Sequence, residues 1–260
     1  MNFIRSILFN IFFYGFTVLA CLMLLPLVLF SRPAILAGAR FYVKGVELIE
    51  RYVLGLTYEI RGLEHKPKEG TYIVASKHQS AYETMKLHLL FGDPTIVCKR
   101  ELLNIPIFGT FLKKIDVIAI NRGNKEESIA AIINGAKKMR ERNRPIVIFP
   151  QGTRVDVDAT TKQKPYKGGI VKMYKHTDLV IAPLALNSGM FWGRNSFIKK
   201  PGKVIFEFLP VIESRLPDKK VMKALEDRIE EKSYALMMEA KQEFKYLENT
   251  KLLPPPSHNE

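Results

Sequence analysis

The segment Lys77-His78-Gln79-Ser80-Ala81-Tyr82-Glu83 joins an apolar run to a helical pattern, and it sets an imidazole five positions before a carboxylate. A carboxylate that accepts one ring N–H leaves the other ring nitrogen free to take a proton from a hydroxyl. On a continuous helix five positions separate two side chains by about 140°, so His78 and Glu83 can meet only if the chain turns between strand and helix. Taken alone, the pattern has two readings: a working base, or a surface histidine beside an unrelated glutamate. A second block, Phe149-Pro150-Gln151-Gly152-Thr153-Arg154, also follows an apolar run. Its glycine permits close backbone approach and its arginine can grip a phosphate bidentately. Two more cations stand where runs end: Lys99, and Arg122 ahead of Gly123. Each reads either as a phosphate ligand or as a solvated end of a strand or turn.

Elements able to position these groups follow from periodicity. Short β-branched runs at Leu56–Arg61, 72–75, Thr95–Lys99, 117–120, 145–149, 180–184 and 204–209 predict strands. Helical spacing predicts helices over Tyr82–Phe91, 125–143 and 169–175, and their alternation with the strands predicts an α/β sheet. Pro217-Asp218 precedes a long periodic stripe carrying Met222, Leu225, Ile229, Leu236, Ala240 and Phe244, which predicts a closing helix capped by Asp218. The chain divides into residues 1–55 as an anchor, 56–248 as a catalytic domain, and 249–260, with three consecutive prolines, as a disordered tail.

The anchor reading rests on a run from Ser6 to Ser31 that holds no charge and is long enough, at about 1.5 Å per residue, to cross a hydrocarbon core of about 30 Å. A signal peptide is the rival, with Ala37-Gly38-Ala39 as a small-residue cleavage site, but the run exceeds the usual length of such a segment. Only Arg5 precedes the run and the basic body follows it, which predicts a catalytic domain facing the cytoplasm from an inner, cytoplasmic-type membrane. Residues 40–56 form an amphipathic pattern with Phe41, Val46, Ile49 and Val53 near one face. Such a helix can pair with the first as an interfacial hairpin in place of a full span.

The net charge of +14 predicts an anionic partner. Residues 99–144 and 162–203 hold the excess, at +6 and +8, whereas 218–248 nearly balances and reads as a solvated helix face. Zinc-ligand spacing, a helix-turn-helix pattern and nucleotide-binding glycine fingerprints are all missing, so the charge is assigned to lipid phosphate and a membrane surface, with no nucleic acid. Cys21 and Cys98 offer neither a disulfide framework nor metal spacing, and no metal is expected. His65, His88, His176 and His258 lack a comparable setting and read as surface or core residues. Ser80 lies close to His78 in sequence, yet no Gly-x-Ser-x-Gly elbow surrounds it.

The two blocks resemble the signature motifs of the glycerolipid acyltransferases, histidine then aspartate after four residues, followed later by Phe-Pro-Glu-Gly-Thr-Arg. Three weaker stretches fall in the same order: Lys99, Glu101, Leu102, Pro106 and Gly109; Ile118 to Arg122; and Val180 to Asn187 around Pro183. The resemblance covers roughly residues 70–190, with Glu83 in place of the aspartate and Gln151 in place of the glutamate.

What the resemblance implies is a single mixed-sheet α/β domain of that family behind a membrane-anchoring helical segment. His78, oriented by Glu83, would deprotonate the sn-2 hydroxyl of 1-acylglycerol 3-phosphate for attack on an acyl thioester of coenzyme A or acyl carrier protein, giving phosphatidic acid. Lys99, Arg122 and Arg154, with Gln151, Gly152 and Thr153, would bind substrate, and a backbone N–H near Gly152 would meet the oxyanion. No bound cofactor is implied. Competing readings are another lyso-lipid acceptor, such as one with an amino-acid headgroup, a membrane-bound serine hydrolase using Ser80, and a non-enzymatic binder of anionic lipid.

Overall fold

A computed structural model describes residues 2–255. His258 and the end of the tail expected over 249–260 lie outside the described residues. The chain opens with helix α1 (Asn2–Leu24), and Pro26 enters a tight turn at Leu25–Leu29 because a residue without an N–H cannot continue the helix. Helix α2 (Arg32–Ile49) then starts with Pro33 in its first turn and runs into a wider turn, Glu50–Leu54. The apolar run is therefore a helix and a turn, and α2 begins eight residues before the expected amphipathic segment.

The sheet has seven strands: β1 (Leu56–Arg61), β2 (Ile73–Ser76), β3 (Thr95–Lys99), β4 (Ile118–Ile120), β5 (Ile146–Ile148), β6 (Ile181–Leu186) and β7 (Gly202–Phe208). Their order is β1-β7-β6-β2-β5-β3-β4. Every pairing is parallel except β6 with β7, which makes the sheet mixed. Helices α3 (Tyr82–Phe91), α4 (Phe108–Lys114), α5 (Lys125–Glu141), α6 (Gly169–Thr177) and α7 (Asp218–Glu243) connect and close it.

Strand alternation sends side chains to two cores. Val74 and Val147 face a cluster with Tyr82, Leu87, Trp192 and Phe9, whereas Ile73, Ala75, Ile146 and Ile148 face one with Ile132, Met139, Ile170, Leu225 and Ile229. Helices thus cover both faces, as a nearly all-parallel sheet requires. The expected cap at Asp218 is not made: Pro217 occupies the cap position and Asp218 is the first helical residue, from which no side-chain cap bond forms. In the segment after α7, Leu252 packs against the first core and Lys241 Nζ donates to the Thr250 carbonyl.

The first half of α1 docks on the body. Phe9 is fully buried edge-on against Trp192, with centroids 5.1 Å apart, and Ser6 Oγ accepts from the Lys199 N–H at 2.9 Å. α1 and α2 join through Phe16 stacked on Tyr42 and the hydroxyls of Thr17 and Tyr42 at 3.0 Å. The outer face stays apolar and exposed, with Ile4, Ile11, Phe12, Val18, Leu22, Leu29, Phe41 and Leu48 among its residues. The stretch Asn2–Leu29 is long and apolar enough to cross a membrane. Beneath it, Lys86 of α3 and Glu50 form an ion pair of 2.5 Å with both side chains fully buried.

Candidate active site

Chain direction brings the chemistry to one edge. β2, β3, β4, β5 and β6 run the same way, so their carboxyl ends deliver His78, Lys99, Arg122, the 149–154 block and Asn187-Ser188 to a common rim. A cleft of about 780 Å³ opens there, lined by His78, Lys99, Arg122, Gly152 and Arg154 among others. Its depth is apolar, with Met85, Ile96, Leu102, Ile129, Ile132 and Ile148.

The turn from β2 to α3 does what the sequence spacing demanded. His78 Nδ1 lies 2.7 Å from Glu83 Oε1, and since a carboxylate only accepts, the ring N–H donates and Nε2 is left for the cleft. Glu83 sits in the first turn of α3, fully buried, and the same oxygen accepts the N–H groups of Gln79 at 2.8 Å and Ser80 at 2.7 Å. Its other oxygen accepts the Ser188 hydroxyl at 2.7 Å. The imidazole stacks on Phe149, with centroids 3.9 Å apart and planes 18° from parallel. The two sequence blocks are also sewn by backbone, because the Val155 N–H donates to the His78 carbonyl at 2.8 Å.

Gly152 takes a left-handed φ of 68°, closing a turn in which its own N–H donates to the Phe149 carbonyl at 2.8 Å. That bond withdraws the Gly152 amide from service to an oxyanion. The amides of Thr153 and Arg154, which follow it, find no acceptor among the described residues. Neither Gln151 nor Thr153 lines the cleft. Gln151 is buried and donates through Nε2 to the Lys164 carbonyl at 3.1 Å, so it shapes the loop from 151 to 168.

The cations differ in kind. Lys99 lines the cleft but pairs with Glu101 at 3.0 Å. Arg122, Lys125, Arg154, Lys167 and Lys172 line it without an ion pair among the described residues, a concentration of positive charge that calls for an anion. Lys167 went unremarked in the sequence, although it lies in the basic stretch after residue 162. Its side chain lies over Gly152, within 3.2 Å of where a Cβ would stand.

Two nucleophile candidates are set aside by their surroundings. Ser80 is fully buried, away from the cleft, and its Oγ accepts the Tyr82 N–H at 3.1 Å. Cys98 lines the cleft, but burial pushes its thiol up to about 11, leaving it almost wholly protonated near neutrality. Among the described residues no cluster of three or more His, Cys, Asp or Glu could hold a metal ion.

The sequence model of a family described as Acyltransferase matches residues 57–187, half of the chain. The chain belongs to the acyltransferase family. It is 31% identical over 182 residues to the 1-acyl-sn-glycerol-3-phosphate acyltransferase of Pseudomonas aeruginosa, a match covering 70% of this chain and 69% of that protein. The enzyme of the same name from Limnanthes alba is 27% identical over 165 residues, 63% of this chain and 57% of its own. The crystal structure of the 1-acyl-sn-glycerophosphate (LPA) acyltransferase PlsC from Thermotoga maritima shares the fold, with a TM-score of 0.68 at 18% identity over 91% of this chain and 99% of that one. In this acyltransferase the matched region runs from β1 to the end of β6, and so contains every strand terminus that feeds the cleft.

Proposed function

We propose that this acyltransferase moves a fatty acyl group from a thioester of coenzyme A or acyl carrier protein to the sn-2 hydroxyl of 1-acylglycerol 3-phosphate, yielding phosphatidic acid. The observation that carries the reading is the placement of His78 in one cleft with five cations that make no ion pair among the described residues, and with an apolar lining. A phosphate ester with an acyl tail has both complements, and the names of the relatives point the same way.

In this reading Arg154, Arg122 and Lys167 hold the acceptor phosphate and thereby fix its hydroxyl beside His78. His78 Nε2 takes the hydroxyl proton as the oxygen attacks the thioester carbon, and Glu83 stabilises the imidazolium through Nδ1–H. The tetrahedral oxyanion is met by the amide of Arg154, which lines the cleft and finds no acceptor among the described residues. Its collapse breaks the C–S bond, and the departing sulfur takes the proton back from His78. No acyl-enzyme is required, consistent with a protonated Cys98 and an enclosed Ser80.

The exposed apolar face of α1 and α2 is the surface by which the enzyme meets its lipid substrates, with the body on the cytoplasmic side. The docked first half of α1 favours a hairpin lying in the membrane interface over an upright span. Purified full-length protein in detergent should release free thiol from acyl-coenzyme A or acyl carrier protein only when a lyso-lipid is added. Lysophosphatidic acid should be preferred over lysophosphatidylcholine and lyso-amino-acid lipids. His78→Ala should lose on the order of a hundredfold or more in turnover. Equal use of the uncharged or zwitterionic acceptors would refute the acceptor, and an active His78→Ala would refute the base.

A further inference from the structure

We infer that Ser188 is a positioning residue for the transfer, acting through Glu83 on His78; the inference rests on the acyl-transfer reading above. Glu83 stands where the family resemblance implies an aspartate. Its extra methylene adds a torsion, and the last torsion of a glutamate is broad and nearly two-fold, so the carboxylate plane is not fixed by the chain itself. Three donors crowd onto Oε1: the His78 ring and the amides of Gln79 and Ser80. Oε2 has one partner, the Ser188 hydroxyl at 2.7 Å. A carboxylate cannot donate, so the Ser188 proton points at Glu83 and locks the plane in which Oε1 meets the imidazole.

The hydroxyl is itself held. Ser188 is fully buried in the short turn after β6, and both of its neighbours are tied down. Asn187 accepts the Ile205 N–H at 2.8 Å and donates to the Leu236 carbonyl at 3.3 Å. The Gly189 N–H donates to Gln79 Oε1 at 3.1 Å, which returns the turn to the histidine block. A line of hydrogen bonds thus runs from Ser188 at the end of β6 through Glu83, 105 positions away, to His78 Nδ1, opposite the nitrogen that faces the cleft. Ser188 does not line the cleft, so its effect on catalysis must pass through the carboxylate.

The experiment compares thiol release by wild type, Ser188→Ala, Ser188→Thr and Glu83→Gln, with Ser188→Ala also made in the Glu83→Gln background. Ser188→Ala should lower kcat about tenfold while both KM values stay within about twofold, and Ser188→Thr should retain most of the activity. In the Glu83→Gln background the further loss should be under about twofold, the signature of two residues acting in series. An unchanged kcat, a loss confined to KM, or a full tenfold loss in the Glu83→Gln background would overturn the inference. Should Ser188→Ala not fold, Ser188→Cys, of similar shape but a poor donor, reads the same quantities. Wild type and His78→Ala in the same assay test acyl transfer separately, so failure of the broader reading is distinguishable.

Discussion

Replacing Glu83 separates its two duties, because alanine and glutamine remove different things. The carboxylate is fully buried and accepts hydrogen bonds from His78, Gln79, Ser80 and Ser188. Glu83→Ala strands two backbone N–H groups and a hydroxyl away from water, at about 1–3 kcal/mol each. Together that is about 3–9 kcal/mol, set against a total stability of about 5–15 kcal/mol for a domain. Glu83→Gln keeps an oxygen for the three inner donors, and its amide N–H can donate to the Ser188 oxygen, so stability should stay within about 1–2 kcal/mol of wild type. What glutamine loses is charge: a charge-assisted bond is roughly twice as strong as a neutral one, a difference of about 1–2 kcal/mol for the imidazolium. That converts to about 5–30-fold in kcat. Denaturant unfolding and thiol release at saturating substrates, both in the same detergent, measure the two duties. A glutamine variant with full turnover, or an alanine variant as stable as the glutamine one, would refute the reasoning.

Arg154→Ala and Lys167→Ala should each raise the apparent KM for lysophosphatidic acid more than that for the thioester, measured by varying each substrate in turn, because both cations line the cleft unpaired. Glu230→Ala should cost about 3–5 kcal/mol in denaturant unfolding, since it leaves Lys77 buried without its partner, and Lys77→Met with Glu230→Leu should recover most of that. Burial holds His88 below the ordinary histidine range, with Arg144 and Arg32 adding to the effect against Asp93. A depressed histidine is neutral when folded and protonated when unfolded, so its share of stability is present above about pH 6.5 and is lost as pH falls below it. The thermal midpoint should therefore drop between pH 7 and 5.5, and His88→Gln should flatten that drop.

The strands were readable because buried parallel strands are short β-branched runs, and β1 and β3 match their expected bounds to the residue. α4 was not, since its seven residues show no apolar period. It is set by Gly109, where a Cβ would fall 2.2 Å from the Leu103 carbonyl oxygen. The pairing of His78 with Glu83 was legible because both lie on one turn. Ser188 was invisible for the opposite reason: its partner is distant in sequence and serine has no local signature of burial. Glu230 lies on the helix face read as solvated, and only tertiary packing shows it accepting from both Lys77 and Tyr166, and Lys86 over the rings of Tyr58 and Tyr82. Gln151 was expected to bear on substrate, yet its amide faces the loop carbonyl of Lys164.

The single antiparallel pairing explains how the N-terminal helices and His78 come to one edge of the sheet. Because β7 runs against β6 and alongside β1, the amino ends of β1 and β7 lie at the same edge as the carboxyl ends of β2 through β6. The loop between β6 and β7 holds Trp192 and Lys199, which receive Phe9 and Ser6 of α1, and Leu54 leads from the N-terminal helices directly into β1. Had β7 been parallel to β6, the connection would have crossed to the opposite edge and carried the apolar hairpin away from His78. As built, the end of the sheet that receives α1 and leads into β1 is the end at which the cleft opens, so the apolar helices and His78 are held to one edge of the sheet.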